Sequence, residues 1–373
     1  MFYNKKAMIL FTASYLAALF YTGFHLSELL LGNRRPFEIF ALWILFGASL
    51  PLGFLRKKYV PILTPAGGVA LAFVCHLSGA FLILDAWRLS SFAGLLPLPS
   101  SRDAAILLNG ALLWIAWGVV RAQRIRVRTL EVRLPSDRPH PPLRAAAAMD
   151  IHAGGVAGRR YLRRLKALIE GCRPDIILLA GDVTDGNLSR AVRAGLKEIL
   201  ASLRAPLGKY AVLGNHDIYA GAEDFVSLMR DAGVTVLRDE ARIVDGAFIL
   251  AGRNDPRGIH FGISRAPLAQ VLQGQPDLPL VVIDHTPRDL EEAEACGVDL
   301  QLSGHTHGGQ VFPLNLVMKR LYGISSGVLR KGKTLICVSS GAGLWVMPTR
   351  TVTNSEILLC RITFVSKTSG EIH

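Results

Sequence analysis

The chain has 373 residues, half of them apolar, with a positive mean hydropathy and 42 Lys and Arg against 29 Asp and Glu. That length exceeds one ordinary domain, and the hydropathy is high for a wholly soluble protein. Residues 1–128 hold 13 basic and four acidic residues, the remainder 29 and 25, so the basic excess is mainly a membrane signature and not a nucleic-acid footprint.

Four apolar stretches open the chain, at about 7–31, 37–55, 62–86 and 104–120. The first three are as long as a bilayer core demands of a helix and the fourth is at the short limit, so residues 1–120 are expected to form an all-α membrane domain of four spans. A cleaved signal peptide would explain the first stretch, but its apolar run is long, holds Glu28 and lacks a small-residue cleavage site. Buried helices of a soluble domain would explain the second and fourth, yet the run from Ala41 to Phe46 offers no polar face. His25, Glu28, His76 and Asp85 lie in or beside the spans, where packing or snorkelling is the ordinary role. Lys5 and Lys6 precede the first span, Arg56, Lys57 and Lys58 follow the second, and Arg121, Arg124, Arg126, Arg128 and Arg133 follow the fourth, against Arg34, Arg35, Arg88 and Arg102 in the other loops. This bias places both termini in the cytoplasm, which predicts a multi-pass protein of the inner membrane with its second half facing the cytoplasm.

Residues 121–142 are charged and proline-bearing and read as a linker. The five cysteines are an odd number, widely spaced and without a Cys-x-x-Cys pair, which argues against both a disulfide framework and a zinc–thiolate site. From 143 to 365, ahead of a short tail at 366–373, β-like runs alternate with helical stretches. The runs are Asp175–Ala180, Tyr210–Leu213, Phe248–Ala251, Leu280–Ile283, Leu300–Leu302, Thr334–Ser339 and Ile357–Ile362, with helical patterning at Arg160–Glu170 and Leu188–Leu203. This alternation predicts an α/β domain of two packed sheets.

Five polar motifs punctuate it in order: Asp150-Ile-His152, Gly181-Asp182, Gly214-Asn215-His216-Asp217, Asp284-His285 and Gly304-His305-Thr-His307. Most close an apolar run, so their side chains would gather where strands deliver them into loops, the edge at which α/β sheets bind ligands. A Gly-Asp pair or a single His occurs by chance. In this order, at strand ends, the set supplies carboxylates, one carboxamide and five imidazoles, suited to two metal ions and one free acid, as a two-metal hydrolase needs.

On these motifs, and on the longer stretches Ala205–Asp217 and Gly297–Gln310, the region from about Asp150 to Ile362 resembles the calcineurin-like metallophosphoesterase superfamily, in particular its membrane-associated bacterial YkuE- and YaeI-type branch. The resemblance implies a two-sheet α/β sandwich in which one metal is held by Asp150, His152, Asp182 and His307 and the other by Asp182, Asn215, His285 and His305, with Asp182 bridging. His216 would then be the acid that protonates the leaving oxygen, with Asp217 either supporting its charge or lying solvated in a loop. Oxygen and nitrogen donors without thiolate suit manganese first, with iron, zinc or magnesium as alternatives. Met149 stands where the family commonly has serine, and the strand before it, Arg144–Ala148, is alanine-rich and weakly β-forming. The basic run Arg159, Arg160, Arg163, Arg164 and Lys166 reads as a solvated helix face or a surface that meets anionic lipid headgroups or substrate phosphate. Arg350 resembles a position near the cleft entrance, where it would contact substrate phosphate.

The expected function is a membrane-anchored hydrolase of phosphodiester or pyrophosphate bonds acting on a lipid-linked phosphate substrate, with no nucleic-acid partner. Within the branch, hydrolysis of UDP-2,3-diacylglucosamine supplies the leading specific candidate. A nuclease-like phosphodiesterase and a non-catalytic metal-binding membrane sensor are the alternatives. The modest positive charge of the second half opposes the former, and retention of His216 opposes the latter.

Overall fold

The computed structural model describes residues 5–31, 36–55 and 63–367. It divides into two compact units: Met1–Arg121 with Val346–Thr351, and Ala122–Trp345 with Val352–His373.

The described residues of the first unit form four helices: α1 (Lys5–Leu31), α2 (Pro36–Leu55), α3 (Leu63–Phe92) and α4 (Ser101–Ala122). Among the described residues three apolar stretches are long enough to cross a membrane, Ile9–Leu29, Ala66–Phe92 and Ser101–Ala122, while that of α2, Phe37–Leu52, is shorter. The fourth helix starts three residues earlier than its apolar core and continues to Ala122, whereas proline at position 51 lies inside the last turn of α2. Glycines let these helices approach closely: a Cβ on Gly67 would stand 2.4 Å from the Leu50 Cα. The ionisable residues are partnered, with His25 Nε2 3.1 Å from Asp85 and the Tyr21 hydroxyl donating to Asp85 at 2.7 Å. The charges invoked for orientation at Arg34, Arg35, Arg56, Lys57 and Lys58 lie outside the described residues.

The described residues of the second unit form twelve strands: β1 (Ile125–Pro135), β2 (Leu143–Ala148), β3 (Ile176–Ala180), β4 (Lys209–Val212), β5 (Thr235–Val236), β6 (Glu240–Val244), β7 (Phe248–Gly252), β8 (Leu280–Ile283), β9 (Leu300–Ser303), β10 (Gly327–Lys331), β11 (Thr334–Val338) and β12 (Ser355–Val365). They form two six-stranded mixed sheets, in the orders β1-β12-β2-β3-β4-β5 and β10-β11-β9-β8-β7-β6. Core side chains from both sheets interlock, among them Leu178, Val212, Phe248, Ile283 and Leu358. Helices α5 (Arg159–Gly171), α6 (Leu188–Arg193), α7 (Leu196–Ser202) and α8 (Asn215–Asp231) cover the outer face of the first sheet through Leu162, Leu196 and Phe225. Shorter helices α9 (Leu268–Val271) and α10 (Leu290–Ala295) cover the second through Leu268 and Ala293. This is the two-sheet α/β sandwich that the alternating pattern implies.

Two local expectations change. The presumed linker is largely strand β1, paired in parallel with β12 over its whole length. Leu130, Val132 and Leu134 face inward while Glu131 and Arg133 face out, an alternation masked by arginines that are in keeping with an unpaired sheet edge. The alanine-rich segment is a regular interior strand, β2, with Ala145 and Ala147 in the intersheet core and Ala146 and Ala148 under the helices. Small side chains serve there because β2 is covered on both faces. The basic helix α5 buries Tyr161, Leu162, Leu165 and Ile169 and exposes its arginines.

Candidate metal centre

Parallel strands β2, β3, β4, β8 and β9 all end at one edge, and the motif residues follow their last positions: Asp150 and His152 after β2, Asp182 after β3, Asn215 and His216 after β4, His285 after β8, His305 and His307 after β9. The two sheets therefore contribute opposite walls of one centre. The structure brings all seven expected ligands and His216 to this edge. His216 lies at the start of helix α8 and not in a loop.

Donor atoms fall into overlapping trios, each within 4.8 Å: Asp150, His152 and His307; His152, Asp182 and His216; Asp182, His285 and His305. Asp182 joins two of them. Its Oδ2 is 3.2 Å from His285 Nε2 and 3.7 Å from His152 Nε2, while His152 Nε2 stands 3.0 Å from His307 Nε2. Nearly all these groups are buried. The Asn215 Oδ1 is buried with no hydrogen-bond partner among the described residues, an arrangement native proteins reserve for a ligand or strain. An orphan carboxamide oxygen, two carboxylates and clustered imidazoles fit a pair of divalent cations.

Backbone strain marks the same residues. Asp150, His152, Asp182, His305 and His307 all adopt left-handed φ values between 49° and 70°, which costs of order 1–3 kcal/mol per non-glycine residue and concentrates at functional sites. Close backbone approach explains the preceding glycines. A Cβ on Gly181, itself at φ 83°, would meet the His285 ring at 2.6 Å, and one on Gly214 would meet Asp182 Oδ1 at 2.2 Å.

Charge is tightly coupled across the centre. Burial pushes the Asp150 carboxyl up to about 6 against the pull of His285 and His152. Burial also acts to raise Asp182, but His285, His216 and His152 together hold it well below the usual carboxylate range. For His285 burial is outweighed by Asp182 and Asp150, and the imidazole is lifted well above its ordinary value. His305 is driven far down by burial, then by the charges of His285 and Arg257. Protons are thus held between imidazoles and carboxylates, where cations compete with them.

Asp217 corrects an expectation. It is neither solvated nor beside the His216 ring: it is buried and accepts hydrogen bonds from the backbone N–H groups of Val183, Thr184 and Gly214 and from the Thr184 hydroxyl, at 2.8–3.2 Å. As the third residue of α8 it ties that helix to the loop after β3, in the manner of a capping box. The carboxylate that does face His216 is Asp185, 3.5 Å from its Nδ1 and 3.2 Å from His152 Nδ1. At that distance Asp185 is placed to accept from His152 Nδ1, which would leave Nε2 free to ligate. Asp185 stands three residues after Asp182, a spacing that places both carboxylates in one loop and could have been read from the chain.

Other neighbours were also missed. The Tyr322 hydroxyl is 3.0 Å from His305 Nε2. Tyr219, one turn beyond His216 on α8, has its ring centre 5.5 Å from that imidazole and accepts from Arg257 at 3.4 Å. Arg257 belongs to a 3₁₀ turn, Pro256–Phe261, pinned by Asp255, which accepts from the Arg257 N–H at 2.9 Å and from the Thr286 hydroxyl at 2.6 Å. Arg265 grips Asp284 through two bonds of 3.1 and 2.6 Å and so fixes the loop carrying His285. Arg350, expected near the cleft, is wholly buried and grouped with the helical unit, where its backbone N–H donates to the Gly118 carbonyl at 3.1 Å.

This constellation on this sandwich has close counterparts. Residues 144–309 match the family model for calcineurin-like phosphoesterases. The chain is 34% identical over 220 residues to an uncharacterized metallophosphoesterase of Aquifex aeolicus, covering 58% of this chain and 83% of that one. It is 30% identical over 314 residues to a transmembrane protein with metallophosphoesterase domain from Bos taurus, with 78% and 70% coverage, and 30% identical over 224 residues to the uncharacterized metallophosphoesterase YkuE of Bacillus subtilis, with 56% and 74% coverage. The chain belongs to the calcineurin-like metallophosphoesterases, and as such is a metal-dependent phosphoester hydrolase.

Proposed function

We propose that this hydrolase is anchored in the inner membrane with its metal centre in the cytoplasm, binds two manganese ions, and cleaves a phosphodiester or pyrophosphate bond in a lipid-linked substrate, UDP-2,3-diacylglucosamine being the leading candidate. The observation that carries the metal reading is Asp182, a single carboxylate whose Oδ2 stands 3.2 Å from His285 Nε2 and 3.7 Å from His152 Nε2, one expected ligand of each ion. Asp150, His152, Asp182 and His307 would hold one ion and Asp182, Asn215, His285 and His305 the other. When bound, such a pair clamps phosphoryl oxygens and acidifies water for attack.

The protein's own groups do the rest. His216 lies at the margin of the cluster and supplies the proton for the leaving oxygen. Asp185 orients it and His152 together. Two carboxylates against two divalent ions leave the centre net positive, which draws in an anionic ester. The lipid part rests on the apolar helices carried by the same chain, which a diffusible ester would not require.

The deciding comparison is kcat/KM for an acylated substrate against its deacylated headgroup, with the full chain in a native-like membrane. A preference of tenfold or more for the acylated form supports the reading, and equal values overturn it.

A further inference from the structure

Exposed large apolar side chains in the catalytic unit are concentrated in two segments. Ile259 and Phe261 in the 3₁₀ turn are 72% and 44% exposed, and Phe312, Leu316, Val317 and Leu321, in and just before helix α11 (Leu314–Tyr322), are 44–65% exposed. Elsewhere such residues stand singly, as Val127, Val192 and Ile243 do. Helix α11 buries none of its nine residues. A short helix with so little of its own surface covered is stable only if something else covers it.

Both segments flank the metal centre. Phe261 packs on Tyr219, ring centres 5.6 Å apart, and Tyr219 on His216. Tyr322, the last residue of α11, bonds His305. Arg257 and Tyr322 stand within electrostatic reach of one another, so the two apolar segments border the same mouth. Lys319 and Arg320 are exposed on α11 among its leucines, and no acidic residue lies in the helix. Apolar side chains interspersed with basic ones are the composition of a helix that lies in the headgroup layer of an anionic bilayer.

We propose that α11 and the Pro256–Phe261 turn form a membrane-contacting rim around the metal centre, seated in the interfacial layer of anionic lipid. An aqueous protein partner is disfavoured as occupant because this chain carries spans of its own and is therefore held at a lipid surface. The rim would let a lipid-borne phosphate enter without leaving the interface. It rests on membrane anchorage and not on the identity of the substrate.

The test uses the full chain in nanodiscs of phosphatidylglycerol doped with a diazirine-bearing analogue of that lipid, followed by irradiation and peptide mapping. Adducts are expected at residues 312–321 and 259–261 as well as on α1, α3 and α4, which act as an internal control. Labelling confined to the spanning helices overturns the proposal, and so does equal rim labelling in a Leu316→Asp, Leu321→Asp double variant. That variant should also raise KM for an acylated substrate about tenfold while leaving turnover of bis(p-nitrophenyl) phosphate unchanged. Loss of the soluble activity would show that α11 serves the fold of the site and would overturn the rim. An unacylated natural substrate would instead refute the lipid-linked reading and leave the labelling result standing.

Discussion

Replacing Asp185 with Asn removes one negative charge from a position facing two imidazoles, 3.2 Å from His152 Nδ1 and 3.5 Å from His216 Nδ1. The amide keeps the shape but loses the charge that favours a proton on His152 Nδ1, and its NH2 can turn toward Nδ1 and favour the wrong tautomer. His152 is otherwise a poor place for a proton: burial lowers its pKa, and the raised value comes from the Asp185 hydrogen bond together with the charges of Asp182 and Asp185. Outer partners of metal-ligating histidines are worth about 10–100-fold in metal affinity or activity, or about 1.4–2.8 kcal/mol. Asp185 is about one-fifth exposed, which favours the lower half of that range. Manganese titration by calorimetry should therefore show one of two sites weakened about tenfold and the other nearly unchanged, since the trio of Asp182, His285 and His305 does not include His152. At saturating manganese a further deficit in kcat should remain, from the unsupported His216. Wild-type affinity at both sites with wild-type kcat would refute the assigned role, and equal weakening of both sites would show that the two trios are not separable.

Further perturbations separate the remaining roles. His216→Gln should cut turnover of poorly activated esters by about 10²–10⁴ while metal content by mass spectrometry stays near two per chain; loss of metal in step with activity would make it a ligand. Asp217→Ala should act on stability, lowering the melting temperature of the catalytic unit and leaving four buried donors unsatisfied at about 1–3 kcal/mol each before relaxation; an inactive variant of native stability would restore a chemical role. Asp299, whose carboxyl burial pushes up to about 6 despite accepting from the Leu280 N–H, holds its proton in the folded protein at pH values where the unfolded chain has released it. Stability should therefore fall as pH rises from about 4 to about 6 and then level off. Asp299→Asn should flatten that slope and gain about 2 kcal/mol at pH 7, and an unchanged slope in thermal melts across this range would contradict it. A reporter active only in the cytoplasm should work when fused after His373, and a periplasmic reporter that works there would invert the topology.

Much of the catalytic unit is legible because its central strands are buried on both faces, and so read as unbroken apolar runs such as Ile176–Ala180 and Leu280–Ile283. The ligands were legible because most follow such a run at its C-terminal end. Strand β1 escaped notice because it lies at an edge, where charged residues alternate with apolar ones and composition resembles a linker. The predicted helix Leu188–Leu203 is two helices, interrupted at Gly195 with φ 85°. Asp217 departs from expectation, and Asp185 escapes notice, for one reason: neighbours in sequence are not always neighbours in space. The turn into helix α8 sends Asp217 back toward Thr184, and the loop after β3 brings Asp185 across to His216.

The most direct test is a manganese titration of metal-free full-length protein, with bound ions counted per chain and turnover of bis(p-nitrophenyl) phosphate followed in the same samples, beside the Asp182→Asn variant. A shared carboxylate predicts that activity appears only as occupancy approaches two, and that Asp182→Asn loses both ions together. Full activity with a single ion, or two tightly bound ions in Asp182→Asn, would contradict a dinuclear centre bridged by Asp182.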